Sequence, residues 1–354
     1  MLRRTILISL VVLLATIGYR VLSGVIPASG AFIDFENIAV DQCRPVDVAP
    51  GPEDIEIDHA TGVAFISSAQ RRNPERRERG GLYSLDLSNP EARPISLLGD
   101  TPVDFSPHGL SLWKGEDGTR RLFVINHPEG AETVEIFDIR TDGTLSHLET
   151  VSFDAMYSPN DVVAVGSRQF YATNDRRYRE GLGQMLELYL GLPLADVVYF
   201  DGEDGREVAD SFSYANGINV SADGSKLYVA EVIGRKINVF DRDLQTGEVS
   251  NRRHFKVGTA PDNIDIGTDG NLYIGSHPNL LAFVKHAENA EEVSPSQVVR
   301  MNSETGETET VFMSINGEIN GSATGPYWNG QMLVGGVFDS QIMWCTDIPP
   351  AEAS

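Results

Sequence analysis

"PEDIEIDHATGVAFISS" (residues 52–68) holds two short apolar runs separated by a turn, and that arrangement decides the fold. Ile55 and Ile57 alternate with polar neighbours, as a half-buried strand requires, "DHATG" breaks the run, and "VAFISS" supplies a second strand. The arrangement returns in "PHGLSLW…RRLFVINH" (107–127), "PNDVVAV…RQFYATND" (159–175) and "ANGINV…SKLYVAE" (215–231). It returns again in "PDNIDI…GNLYIGSH" (261–277) and "NGSATG…GQMLVGG" (320–336). A third strand often follows, as in "GLYSLDL" (81–87), "VEIFDI" (134–139) and "KINVFDR" (236–242). Six strand-turn-strand units recurring roughly every 50 residues predict an all-β, six-bladed β-propeller, because a sandwich does not require an internal signature. In a propeller the first strand of each blade lines the central channel, so equivalent positions gather around one axis.

The chain around these repeats has 354 residues, a net charge of −23 and 41% apolar residues, enough to bury a core. The charge argues against nucleic acid and anionic membrane surfaces as partners, both of which call for basic patches. At the start, Arg3 and Arg4 precede the apolar run "ILISLVVLLATIG" (6–18), and "IPASGA" follows. This is the pattern of a secretory signal, which Val21–Ile26 extends toward a retained membrane anchor. Export to an extracellular or periplasmic location is expected, with cleavage and retention both open. The expected organisation is a signal or anchor over 1–30, a propeller over 33–347 and a tail over 348–354. Only Cys43 and Cys345 are present, one near each end. In an exported chain their placement favours a disulfide closing the propeller, the alternative being two unrelated buried thiols.

The residues that open the inner strands carry the chemistry. They are Glu53-Asp54, His108-Gly109, Asn160-Asp161, Asn216-Gly217 and Asp262-Asn263. One Asn or Asp at a strand mouth is ordinarily a turn residue bonded to its own backbone, but recurrence at one blade position argues for ligands. Carboxylates and amide oxygens crowded around an axis suit a hard cation such as calcium, which takes six to eight oxygens. Neither a Cys cluster nor a closely spaced His pair favours zinc. Adjacent strand residues face opposite sides, so the Glu53-Asp54 and Asn160-Asp161 doublets predict two ions, one at the channel mouth and one deeper. Among the seven histidines, His108 stands at the ligand position and His127 ends the neighbouring strand, while His277 is open between a functional and a structural role.

Between Ile33 and Thr346 the chain contains "EDIEI", "AFISS", "SPHGLS", "LFVINHP", "PNDVVAVG", "FYATND", "ELYLGL", "VVYF", "ANGINVS", "YVAE", "DNIDI" and "GSHPN". Through these motifs it resembles the paraoxonase family of calcium-dependent arylesterases and lactonases. The resemblance implies a catalytic calcium held by Glu53, Asn160, Asn216, Asp262 and Asn263. It implies a structural calcium held by Asp54, Asp161 and the carbonyl of Leu110. His108 and His127 become a histidine dyad, Asp175 lies near the site, and Cys43–Cys345 is the disulfide that closes the family's propeller. The expected activity is hydrolysis of small-molecule esters, aryl esters and lactones, with His108 as base and Asp262 as the rival base or nucleophile. The competing reading is a calcium-stabilised binding module of the strictosidine-synthase-like or gluconolactonase-like kind. That module need not retain His108 together with all five ligands.

Two segments bear on substrate access. "AQRRNPERRERGG" (69–81) is a charged insert with five arginines, read as a solvated loop, with a mouth favouring polar or anionic substrates as the functional alternative. "GLGQMLELYLGL" (181–192) reads as an amphipathic helix, which in the family covers the site and touches lipid but which can equally pack on the propeller. Oligomeric state is not legible in the sequence.

Overall fold

The computed structural model describes residues 2–30, 33–72 and 78–351. The middle of the arginine-rich insert (73–77), with Arg76 and Arg77, and the last three residues of the expected tail lie outside the described residues.

The repeats build six antiparallel sheets around one axis. The first blade runs Pro52–Asp58, Val63–Ser68, Gly81–Asp86 and Ile95–Ser96, each strand pairing with the next. Four further blades repeat this order, with inner strands Pro107–Lys114, Pro159–Ala164, Ala215–Val220 and Ala260–Ile266. The sixth joins both ends of the chain: Ser322–Thr324, Gln331–Gly336 and Gln341–Cys345 are completed by Cys43–Asp47. In that register Cys43 lies opposite Cys345, and the two form the disulfide across 302 residues of sequence.

The core is a ring of apolar layers between neighbouring blades. Phe123, Ile125 and Ile136 of the second blade interleave with Val162, Phe170 and Phe200 of the third. Tyr171 and Val197 of the third then meet Ile218 and Val229 of the fourth. Alternation along each strand sends side chains to both interblade layers, so strands buried on both faces read as nearly continuous apolar runs.

Every inner strand carries a register shift, between Pro52/Asp54, Pro107/Leu110, Pro159/Val162, Ala215/Ile218, Pro261/Ile264 and Ser322/Thr324. A bulge leaves its residues out of the ladder and re-aims their side chains; in four blades those residues are the sequence-predicted doublets, and in the first blade Glu53 alone is left out while Asp54 pairs with Ser67. Two of the doublets need glycine for space. A Cβ on Gly109 would lie 2.5 Å from Asp161 Cα, and one on Gly217 would lie 2.6 Å from Asn263 Cα.

The N-terminal helix, Leu2–Arg20, continues in helical turns to Ala28 and offers an exposed apolar stretch, Arg4–Ser23, long enough to cross a membrane. Its Arg20 guanidinium donates to Gly191 O at 2.9 Å, where the helix Gly181–Leu190 ends. That second helix differs from a simply packed one. Leu182, Met185, Leu186 and Tyr189 are exposed, and the buried residue is Glu187, which accepts from the backbone N–H groups of Arg177 (2.9 Å) and Tyr178 (3.0 Å).

Candidate active site at the propeller axis

The structure separates the bulged doublets into two groups. In the first, Glu53 takes a hydrogen bond from Asn263 Nδ2 at 3.1 Å and faces His108 Nε2 at 3.4 Å. Asp262 takes His277 Nε2 at 2.7 Å. Glu53 Oε2, Asn160 Oδ1, Asn216 Oδ1, Asp262 Oδ1 and Asn263 Oδ1 are all buried without a hydrogen-bond partner. Buried oxygens without partners cost about 1–3 kcal/mol each, so five on the inner strands of one channel call for an electropositive ligand. They are the five oxygens expected to hold the first cation. No group of three or more His, Cys, Asp or Glu side chains at metal-binding spacing occurs among the described residues. The candidate set is instead two carboxylates and three amides, an oxygen set that fits calcium.

In the second group every carboxylate oxygen has a backbone partner. Asp54 accepts from Ile55 N (2.9 Å) and Leu110 N (2.7 Å), and Asp161 accepts from Val162 N (2.7 Å) and Ile218 N (2.8 Å). These bonds staple the first blade to the second and the third to the fourth. Leu110 thus enters the group through its N–H.

The electrostatics of the two groups differ. For Glu53, burial pushes the carboxyl up, but His108, Arg71 and Asn263 outweigh it and hold the group at about 2. For Asp54, burial pushes the group well above the usual carboxylate range, and Asp161, Glu53 and Asp265 add to the rise. Burial does the same to Asp161. Burial raises Asp262 as well, against the pull of His277. Two acids that the repeat analysis did not single out belong here. Burial lifts Glu56 well above its range, and Asp265, whose Oδ2 takes Thr324 Oγ1 at 3.0 Å, is lifted by burial to about 7. Both were within reach of period two, since Glu56 shares a strand face with Asp54 and Asp265 one with Asn263.

Above the axis, His108 and His127 meet at 2.9 Å, Nδ1 to Nε2. They line a cavity of about 210 Å³ with Ser158, Pro159, Asp175, Arg176 and Arg179. Asp175 is fixed by Ser158 Oγ (2.6 Å) and by Arg176 through two bonds of 2.9 and 2.6 Å. Burial pushes the Asp175 carboxyl up, and Arg176 and Ser158 together bring it below its usual range. His127 Nδ1 is hydrogen-bonded to Glu132, and Arg179 donates to the other oxygen of that carboxylate. Burial pushes the His127 imidazole down, against the pull of Glu132.

The insert over 69–81 is not simply solvated. Arg71 turns inward, donating to Gly51 O (2.9 Å), Ala69 O (3.1 Å) and Pro107 O (2.9 Å), with Glu53 Oε2 at 3.5 Å. Arg72 bonds His286 and lies 4.9 Å over the Phe338 ring. The Glu53 carboxylate at the channel and three backbone carbonyls outweigh the hydration of Arg71, which a count of charges along the loop does not reveal.

The arylesterase family model matches residues 34–346. The chain belongs to the arylesterase family. Among its curated relatives, rat (Rattus norvegicus) serum paraoxonase/arylesterase 2 is 32% identical over 88% of this chain and 90% of its own length. Human serum paraoxonase/arylesterase 1 is 31% identical over 87% of this chain and 90% of its own. Among solved structures, the calcium-binding protein regucalcin of Agrobacterium tumefaciens matches 88% of this chain and 93% of its own at a TM-score of 0.50 and 14% identity, a likeness of fold. The family resemblance read from the blade motifs is thereby established, and the relatives in it are named as hydrolases.

Proposed function

We propose that this arylesterase-family enzyme hydrolyses carboxylic esters, aryl esters and lactones at the mouth of the propeller channel, with calcium as its resident cation. Membership of the family makes it an ester hydrolase. The observation that carries the calcium reading is the set of five buried oxygens without partners, on five residues of four inner strands. Glu53, Asn160, Asn216, Asp262 and Asn263 would hold this ion. Five ligands leave at least one of calcium's six to eight positions for substrate. When bound, the ion supplies charge stabilisation for the oxygen of the carbonyl under attack. A second, structural ion beside Asp54, Asp161 and the Leu110 carbonyl would offset the burial, and with it the neighbouring carboxylates, that lift those two groups.

The chain's own residues move the proton. His108 is the base: one nitrogen faces His127, and the other, Nε2, faces the channel beside Glu53. It takes a proton from the attacking water as the new C–O bond forms, then returns it to the departing alkoxide, so that ester and water become acid and alcohol. Asp262, the rival base, is committed through one oxygen to His277. Replacement of His108 by Gln is expected to lower kcat for phenyl acetate and an aliphatic lactone by about 10²–10⁴-fold while calcium affinity, read by titration calorimetry, is retained. Undiminished turnover in that variant would transfer the role to Asp262.

The propeller over 33–347 is the catalytic unit in this reading, and residues 1–30 direct export and tether it to a membrane. Support comes from the exposed apolar N-terminal helix, from the outward apolar face of Gly181–Leu190 and from the bond joining the ends of the two.

A further inference from the structure

Glu132 lies on the short connection between strands Arg120–Asn126 and Thr133–Ile139, and it is 8% exposed. Its position is fixed from three directions. Its backbone carbonyl accepts from Ser152 Oγ at 2.8 Å, one carboxylate oxygen bonds His127 Nδ1, and the other accepts from Arg179. Arg179 is itself on the segment whose Arg177 and Tyr178 amides are held by buried Glu187.

An ionised carboxylate accepts hydrogen bonds and donates none. The Arg179 guanidinium, permanently charged, favours that ionised form. His127 must therefore carry its proton on Nδ1 and present Nε2 as an acceptor. His108 Nδ1, 2.9 Å away, then donates to it, which leaves the lone pair of His108 on Nε2, facing the channel. Without this carboxylate nothing fixes the proton on the His127 side, and Glu53, 3.4 Å from His108 Nε2, favours the opposite direction while no cation engages it.

We propose that Glu132, clamped by Arg179, is a positioning residue that extends the dyad into a directed Glu132–His127–His108 relay. It sets the tautomer in which His108 Nε2 is the base, and it stabilises the positive charge when that nitrogen takes the water proton. The proton remains on His108 until the alkoxide leaves, and Glu132 stays ionised throughout, as the orienting carboxylate of a catalytic triad does. This rests on the assignment of His108 as base.

The test uses the full chain loaded with calcium. Glu132→Gln preserves the shape but offers His127 an ambiguous partner, and Glu132→Asp keeps the charge on a shorter arm. Glu132→Gln is expected to lower kcat for both phenyl acetate and an aliphatic lactone by about 100-fold, with KM within about twofold. Glu132→Asp should recover part of that loss. In the same samples, imidazole ¹⁵N shifts should place the His127 proton on Nδ1 in the parent and show a mixture of tautomers in Glu132→Gln. Loss of kcat without the tautomer change would overturn the proposal, as would kcat within about threefold of the parent. So would equal losses in both variants accompanied by a lowered melting temperature, which mark a merely structural residue. If His108→Gln is impaired while Glu132→Gln keeps the kcat of the parent, the relay fails and the base assignment stands. If neither variant is impaired, the base assignment fails as well.

Discussion

Asp58 closes the inner strand of the first blade with its side chain 1% exposed, and Lys114 and Arg120 of the next blade neutralise it. Burial pushes its carboxyl up, but Lys114, the Ala60 N–H and Arg120 outweigh that and bring it below its usual range. A carboxyl depressed by folding contributes stability above its unfolded pKa of about 4, and that contribution disappears as the pH falls further. Asp58→Asn is therefore expected to lose about 1–3 kcal/mol at pH 7 by urea unfolding, and its deficit should shrink below pH 4. A deficit that is constant with pH would contradict the ionic role. Glu53, by contrast, has an arginine at 3.5 Å and a buried oxygen still without a hydrogen bond. The sequence made Glu53 and its partners legible because they recur at one blade position. Glu132 and Arg71 were not, because each belongs to the connection between the second and third strands, whose length and sequence change from blade to blade. Their partners are chosen by folding rather than by spacing.

At the scale of elements, the doublets work because each inner strand bulges where they occur. Strict alternation alone separates Glu53 from Asp54 but gives no reason for Asp262 and Asn263 to serve one site, and the shift between Pro261 and Ile264 supplies it. The inner three strands of a blade are readable because burial imposes apolar alternation on them. The outermost strands, such as Val249–Lys256 with "VSNRRHFK", are largely exposed and carry little of that pattern. The helix Leu280–Glu288, capped by Asn279 accepting from Ala282 N at 2.9 Å, is not legible in the sequence because it is short and begins directly after the strand Leu272–His277. The helix Gly181–Leu190 was legible, but which way its apolar face turns was not, since that depends on Glu187 reaching two distant amides. If the exposed face meets lipid, replacing Leu182, Met185 and Tyr189 together by Ser should weaken co-sedimentation with phosphatidylcholine vesicles several-fold, leaving the hydrolysis of a water-soluble ester within about twofold. Equal vesicle binding by parent and variant would contradict a role in membrane contact.

Across the whole molecule, closure and catalysis depend on the same symmetry. The first strand of the chain completes the last blade, and the Cys43–Cys345 bridge fastens it. In the chain-entropy account a loop of this length is worth up to about 6 kcal/mol. A closed ring holds inner strands from every blade around one axis, where oxygens left unpaired by the fold can share a cation. The acidic surface, with a net charge of −23, is compatible with such a cation but does not point to a place for it; its proposed place rests instead on the unpartnered oxygens of the inner strands. The most direct measurement is hydrolysis of phenyl acetate and an aliphatic lactone by the full chain, before and after chelation and again after calcium is restored. Turnover of both substrates, abolished by the chelator and recovered with calcium, is the predicted result. Turnover that persists unchanged in the calcium-free protein, or none on either substrate with calcium present, would contradict the account.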